Sequence, residues 1–475
     1  MKKTGLIGIF GLATLAASSL LFAIQPMVGK MSLPAFGGTP GVWNACLLFF
    51  QAVLLAGYAY AHATSARLGL RGQAALHGLL SIAALAVLPI RPPADPASTA
   101  AGVGPGLWLF ASLAVTAGPP LLLIAATSPL LQRWYFLAGG GGSDRPARDP
   151  FFLYAASCAG NLAALAAYPL LIEPRSTLAW QSRAWAVGFA ASSALTLLCA
   201  AAAWRGPGSG AIREEAAAGD APVAPGDAPV APGDALRWVW LAALPSLWLL
   251  GLTTHLTTDL APMPLLWTIP LGVYLITYIL AFAGVGGRWV RGLAPAFPWL
   301  AAALAMVLAA GFVHLSWAPL HLATFFVGAL ICHHRLAESR PSARRLTSFY
   351  LAIGAGGVLG SLCCAILAPL VFDRMVEYPA AVFLACLAFA AGARPRGAKE
   401  FAREAAIPAA VLGTAWLLLT RPGLGDSTPG ALALVLATGL GVLAVWKARP
   451  RPLRFALTIG AVLLAGGLAP DRGAR

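Results

Sequence analysis

Stretches of about twenty apolar residues follow one another through almost the whole chain, and nothing else limits its fold so strongly. A helix of about twenty residues crosses the ~30 Å hydrocarbon core of a bilayer, and inside that core each backbone N–H and C=O must be satisfied within the segment. Spans are expected at 5–25, 43–62, 74–90, 106–132, 151–172 and 184–204. A second set is expected at 238–258, 263–283, 292–313, 316–334, 346–371 and 378–393, and three more at 406–420, 430–446 and 453–470. Composition agrees. Of 475 residues 59% are hydrophobic and 10% charged, against about 25% charged in a soluble domain. So little charge cannot cover a water-facing surface, which excludes a soluble enzyme. The expected fold is all-α and polytopic. Pro119-Pro120 in the fourth run predicts a kink there.

The net charge is +15. The Lys and Arg residues sit in the short gaps between apolar runs, not along one helix face. That is the pattern of loops beside anionic lipid rather than of a nucleic-acid surface. The expected partner is therefore the lipid bilayer, with no nucleic acid. With the N-terminus inside and the spans alternating, 24 of the 32 Lys and Arg residues fall on the inner side. This three-to-one bias predicts a cytoplasmic N-terminus. The first apolar stretch, Gly5 to Ile24, exceeds the usual signal-peptide core and is read as an uncleaved span. The seven cysteines, Cys46, Cys158, Cys199, Cys332, Cys363, Cys364 and Cys386, include no C-x-x-C pair. They point to helix packing rather than to zinc or a disulfide framework. No metal and no cofactor is expected.

Four regions are expected: a six-helix half at 1–204, a linker at 205–236, a second six-helix half at 237–393 and further helices at 394–475. The linker is rich in Pro, Gly and Ala and repeats GDAPVAP in tandem at 219–225 and 226–232, so it cannot bury a core. The halves resemble each other. FFLYAASCAGNLAALAAYPLLIEP (151–174) aligns with FYLAIGAGGVLGSLCCAILAPLVFD (349–373), placing Tyr154 on Tyr350 and Gly160 on Gly356. The second and eighth spans share the entries Pro40-x-x-Trp43 and Pro264-x-x-Trp267. Two parallel six-span halves joined by a cytoplasmic linker is a transporter architecture. Gly354 to Gly360 imitates a dinucleotide-binding loop, but it lies inside an apolar run. The spacing of Gly356 and Gly360 instead predicts close helix packing.

Polar residues inside apolar runs are the candidate site, because each costs free energy in hydrocarbon. The seventh span carries Thr253, Thr254, His255, Thr257, Thr258 and Asp259. His255 and Asp259, four apart on one helix face, are candidates for holding a proton or an organic cation. Gln25, Asn44, Gln51 and Asn161 are candidate neutral contacts in a cavity between the halves. Lys30 is expected to reach the outer headgroups. His333-His334-Arg335 with Arg340, Arg344 and Arg345 reads as a basic inner loop. No nucleophile–base set converges, so no catalytic residue is assigned.

Three ordered blocks carry a family resemblance. They are LLFAIQPMVGKMSLPAFGGTPGVWNACLLFFQAVLLAGYAYAH (20–62), LTTDLAPMPLLWTIPLGVYLITYILAF (256–282) and LHLATFFVGALICHHRLAESRPSARRLTSFYLAIGAGGVLGSL (320–362), the last followed by PLVFDRMVEYP (369–379). They resemble the membrane module of the bacterial fused major-facilitator/spermidine-synthase proteins. The resemblance implies a major-facilitator-like arrangement of six and six helices, here with about three extra C-terminal ones. It also implies a place in the bacterial inner membrane and a link to polyamine transport or metabolism. The soluble aminopropyltransferase-like domain common in that family has no counterpart among these 475 residues, so catalysis by this chain is not expected. A second expectation follows, favoured by the sparse charge within the spans. It is that the chain is a non-transporting anchor or subunit for a separately encoded synthase-like protein.

Overall fold

The computed structural model describes residues 3–37, 40–91, 105–138, 150, 152–205, 231–257, 266–312, 314–342, 345–390, 397–419 and 451–468. Within them the chain is all-α, and ten helices are long and apolar enough to cross a membrane. It is a multi-pass membrane protein.

The first set of helices is α1 (Lys3–Phe36), α2 (Pro40–Arg67), α3 (Leu70–Ala84), α4 (Pro105–Thr116), α5 (Gly118–Ala138), α6 (Phe152–Ala167) and α7 (Leu178–Trp204). The second is α8 (Pro232–His255), α9 (Thr268–Phe282), α10 (Gly286–Leu293), α11 (Phe297–Ala309), α12 (Ala318–Glu338), α13 (Leu346–Leu362), α14 (Ala368–Val371) and α15 (Glu377–Phe389). Two C-terminal helices follow, α16 (Ala398–Leu419) and α17 (Pro452–Leu468). The span expected at 430–446 lies outside the described residues, as does most of the expected linker. Its last residues, from Pro232, already form the first turn of α8.

Several boundaries differ from the sequence expectation by a few residues, and two differences change the path of the chain. The first span does not stop at residue 25. α1 runs on through Pro26 and Pro34, each of which removes one backbone donor without ending a helix whose neighbours support it. It closes at Gly37, where φ is +74° and the amide bonds back to Leu33 O at 2.9 Å, a left-handed cap that glycine adopts without strain. The expected fourth span is two helices, α4 and α5, that meet at Ala117 ahead of Gly118-Pro119-Pro120.

The two sets repeat one packing pattern. α1 packs on α5, α6 and α7, and α8 packs on α12, α13 and α15, its counterparts in span order. The principal contacts between the sets exchange in the same way: α2 meets α13, and α6 meets α9. Glycines hold the equivalent seams together. A Cβ added at Gly160 would lie 2.7 Å from Leu15 O on α1. One at Gly356 would lie 2.5 Å from Val239 O on α8, and one at Gly360 2.6 Å from Ala243 O. Only a hydrogen fits there. Both α6 and α13 also pass into a π turn, Tyr168–Ile172 and Cys363–Leu367, within one residue of each other in the alignment.

The C-terminal helices belong to the second set's core. α17 packs on α11 and α15 and buries Phe455 and Ile459 in that core. Glu404 on α16 ties α17 down through Arg451 (2.9 Å) and Arg454 (3.1 Å).

Candidate functional site

Where α2, α6, α9 and α13 meet, four tyrosines close the seam between the two sets. Tyr154 and Tyr350 occupy matching positions near the starts of α6 and α13, so the repeat brings them together across the seam, with ring centroids 5.3 Å apart. Tyr58 of α2 meets Tyr350 edge-on at 5.3 Å. Aligning Trp43 with Trp267 places Phe282 of α9 opposite Tyr58, and Phe282 lies 4.5 Å from Tyr154. Tyr278, one turn earlier on α9, completes the layer 5.7 Å from Tyr154. All four tyrosines are buried.

Polar groups fix this layer from behind. Gln132 of α5 donates Nε2–H to the Tyr350 hydroxyl at 2.5 Å and to Ser128 Oγ at 3.2 Å. His333 of α12 stacks on Tyr278 at 3.7 Å, with Nδ1 2.9 Å from Thr277 Oγ1. Thr277 donates its own proton to Tyr274 O at 2.6 Å. It must therefore accept from His333, which places the imidazole proton on Nδ1. His62 Nδ1 and Thr347 Oγ1, 3.0 Å apart, add a further link across the seam. The layer lies at the end of the bundle where α6 and α13 begin. It seals that end.

Seven residues farther along α6 and α13 stand Asn161 and Gly357, and seven residues earlier on α2 stands Gln51, each about 10 Å of rise from its tyrosine. Gln51 Oε1 lies 2.7 Å from where a Cβ on Gly357 would be, so the amide covers bare α13 backbone. Asn161 is buried, and its Oδ1 meets no hydrogen-bond partner among the described residues. It shares its helix face with Tyr154, Cys158 and Leu165, which belong to the core cluster built mainly from the second set. The repeat makes Gly357 the counterpart of Asn161. One side of the seam therefore offers an amide where the other offers backbone. Amide oxygens accept hydrogen bonds from ammonium groups, and tyrosine faces attract cations.

The remaining candidates lie elsewhere. Gln25 is half-buried on α1. The side chain of Asn44, and Asp259 altogether, lie outside the described residues, so the expected His255–Asp259 pairing does too. His255 is buried against the rings of His321 and Tyr378, within the second set. Lys30 is not directed to headgroups: it pairs with Glu173, which stands beyond the π turn of α6. The His333–Arg335 segment is not a loop, because α12 continues to Glu338. There His333 is buried in the layer, and Arg335 donates to Ala388 O at 2.6 Å. Arg71 sits in the first turn of α3, its guanidinium 3.6 Å over the Trp204 ring. Sequence reasoning missed Tyr58, Tyr278, Gln132 and His321. For Tyr154 and Tyr350 a signal existed, a tyrosine recurring at the repeat position.

No family model matches the chain, and no curated protein matches it. Among solved structures, a crystal structure of a mutant of the peptide transporter POT in complex with sulfate is similar with a TM-score of 0.49 and 14% identity, covering 82% of this chain and 94% of that one. A second structure of the mutant POT has a TM-score of 0.47 and 13% identity, with 80% and 92% covered.

Proposed function

We propose that this protein is a membrane transporter for a small organic cation of the polyamine class, working by alternating access between two six-helix halves. The carrying observation is the buried tyrosine layer that spans both sets of helices, with the unsatisfied Asn161 oxygen and the Gln51 amide two turns above it. In this reading the layer is a closed gate. The amides and the tyrosine faces bind the cation, and rocking of the halves parts the tyrosines. The resemblance of residues 20–62, 256–282, 320–362 and 369–379 to fused major-facilitator/spermidine-synthase proteins supports the polyamine class. The excess of Lys and Arg in the gaps at the gate's end supports a cytoplasmic position for that end and an inner-membrane location.

The test is exchange of labelled putrescine and spermidine across proteoliposomes holding the purified protein, with Asn161→Leu and Gln51→Leu as variants. Saturable exchange that weakens about ten- to a hundred-fold in either variant is the expected result, since a lost hydrogen bond to a charged group is worth about 1.5–3 kcal/mol. No exchange of either amine by the wild type would refute the reading and leave the anchor role for a synthase-like partner as its replacement.

A further inference from the structure

At the end of the bundle opposite the tyrosine layer, three rings from three helices form one buried triangular cluster. His255 ends α8, His321 lies in the first turn of α12, and Tyr378 in the first turn of α15. The imidazole centroids are 4.9 Å apart with planes 29° from parallel. Tyr378 lies 5.1 Å from His255 and 5.6 Å from His321. The Tyr378 hydroxyl is 2.6 Å from His321 Nδ1, while His321 Nε2 meets no hydrogen-bond partner among the described residues. His321 is fully buried. Side chains that titrate are rare at such depth and mark ion pathways by default.

We propose that His255, His321 and Tyr378 form a membrane-embedded proton site that holds one proton at a time, and that this proton is the coupling ion of the transport cycle. The second part rests on the transport reading above. Two imidazolium rings at this separation repel each other in a low-dielectric interior, so the pair takes one proton, not two. A proton that adds to the lone pair of one ring leaves the other neutral. The cation is then held against the faces of the neutral imidazole and the phenol. Of the other titratable or charged groups on the packed elements, Glu377 stands beside Tyr378 on α15 and Cys364 lies in the π turn after α13; Asp234 and Arg237 of α8, Cys332, His333, His334, Arg335 and Glu338 of α12 and Cys386 of α15 stand at least two turns away along their helices. Asp259, beyond α8, lies outside the described residues.

The site has a direction. A charged imidazole is well solvated only when water reaches it, so protonation favours a state in which α8, α12 and α15 part at this end to admit water, and their closure returns the proton to solution. α8 carries that change toward the gate, because Val239 and Ala243 of α8 press on Gly356 and Gly360 of α13, the helix that bears Tyr350.

The experiment has three arms, each with wild type, His255→Gln, His321→Gln and Tyr378→Phe. The first is spermidine exchange without a pH gradient. The second is spermidine accumulation driven by a pH gradient. The third is nitrogen-15 NMR of labelled histidines in nanodiscs between about pH 4 and pH 8. Either histidine variant is expected to keep exchange and lose gradient-driven accumulation about tenfold or more. In the wild type the two imidazoles should titrate as a pair, taking up one proton. Tyr378→Phe keeps the rings stacked and should only move the midpoint. Gradient-driven accumulation intact in both histidine variants overturns the coupling. Independent titration of the two rings, or no proton uptake across the range, overturns the site. Absent exchange in the wild type is a failure of the transport reading, and the NMR arm alone then decides the site.

Discussion

Replacing Tyr154 by alanine should open the tyrosine gate without unfolding the bundle. Tyr154 makes three ring pairs across the seam, to Phe282 at 4.5 Å, Tyr350 at 5.3 Å and Tyr278 at 5.7 Å. Each such pair is worth about 0.5–1.5 kcal/mol beyond burial, so together they hold the closed state by about 1.5–4.5 kcal/mol. At 1.4 kcal/mol per tenfold, the closed-to-open ratio should fall by roughly ten- to a thousand-fold. The protein carries its own reporter. Cys158 lies one turn beyond Tyr154 on the same face and is buried. In a background with the other six cysteines replaced, Cys158 should react slowly with a membrane-impermeant maleimide in the wild type and at least about tenfold faster in Tyr154→Ala. Size-exclusion chromatography would verify that the variant remains folded. Equal labelling rates in a folded variant would show that the layer is core packing shared by every state, and the gate would be lost with it.

Three further predictions concern stability, read as thermal midpoints by tryptophan fluorescence. Gly356→Ala pushes a methyl to 2.5 Å from Val239 O and 2.7 Å from Ala242 Cβ, atoms that cannot swing aside, and should cost about 1–3 kcal/mol. Gly11→Ala meets nothing within 4 Å and should be neutral or gain up to about 1 kcal/mol. Matching midpoints for the two would contradict the packing role of Gly356. Glu404→Ala leaves two arginines without their carboxylate, one of them only 14% exposed, and should cost about 3 kcal/mol. Arg451→Ala, 46% exposed, should cost less than about 1 kcal/mol. The reverse order would mean that α17 is held by its apolar face alone. Lys30→Ala should change little, since the pair with Glu173 is about one-third exposed on each side and worth about 0–1 kcal/mol. Lys30→Glu should lower the midpoint and the added Glu173→Lys should restore it; absence of rescue would count against the pairing.

Residue patterns that are local or repeated were legible in the sequence. The hydropathy runs located nearly every helix, and the alignment of Tyr154 with Tyr350, which sets Gly160 on Gly356, anticipated the glycine seams; the π turns left no mark in the hydropathy pattern. Contacts between distant segments were not legible. His255 and His321 stand 66 residues apart with no pattern joining them, so the nearby Asp259 looked like the natural partner of His255. Lys30 and Glu173 are 143 residues apart, and a lysine at a helix end ordinarily faces headgroups. Gln132 and His333 looked like ordinary features of a span and a basic loop. Their roles exist only once α5 and α12 are packed behind the tyrosines. The passage of α1 through two prolines was hidden for a related reason, because support from neighbouring helices overrides a strong local breaker.

The paired π turns in α6 and α13 make the far rim depend on residue number more than on residue identity. Each turn threads one more residue into the coil than an α-helix would, rotating everything beyond it by about 100°. Glu173 faces Lys30 because of that offset. Exchanging Leu170 for another aliphatic should pass unnoticed, whereas deleting it would swing the carboxylate about a quarter-turn away from its lysine.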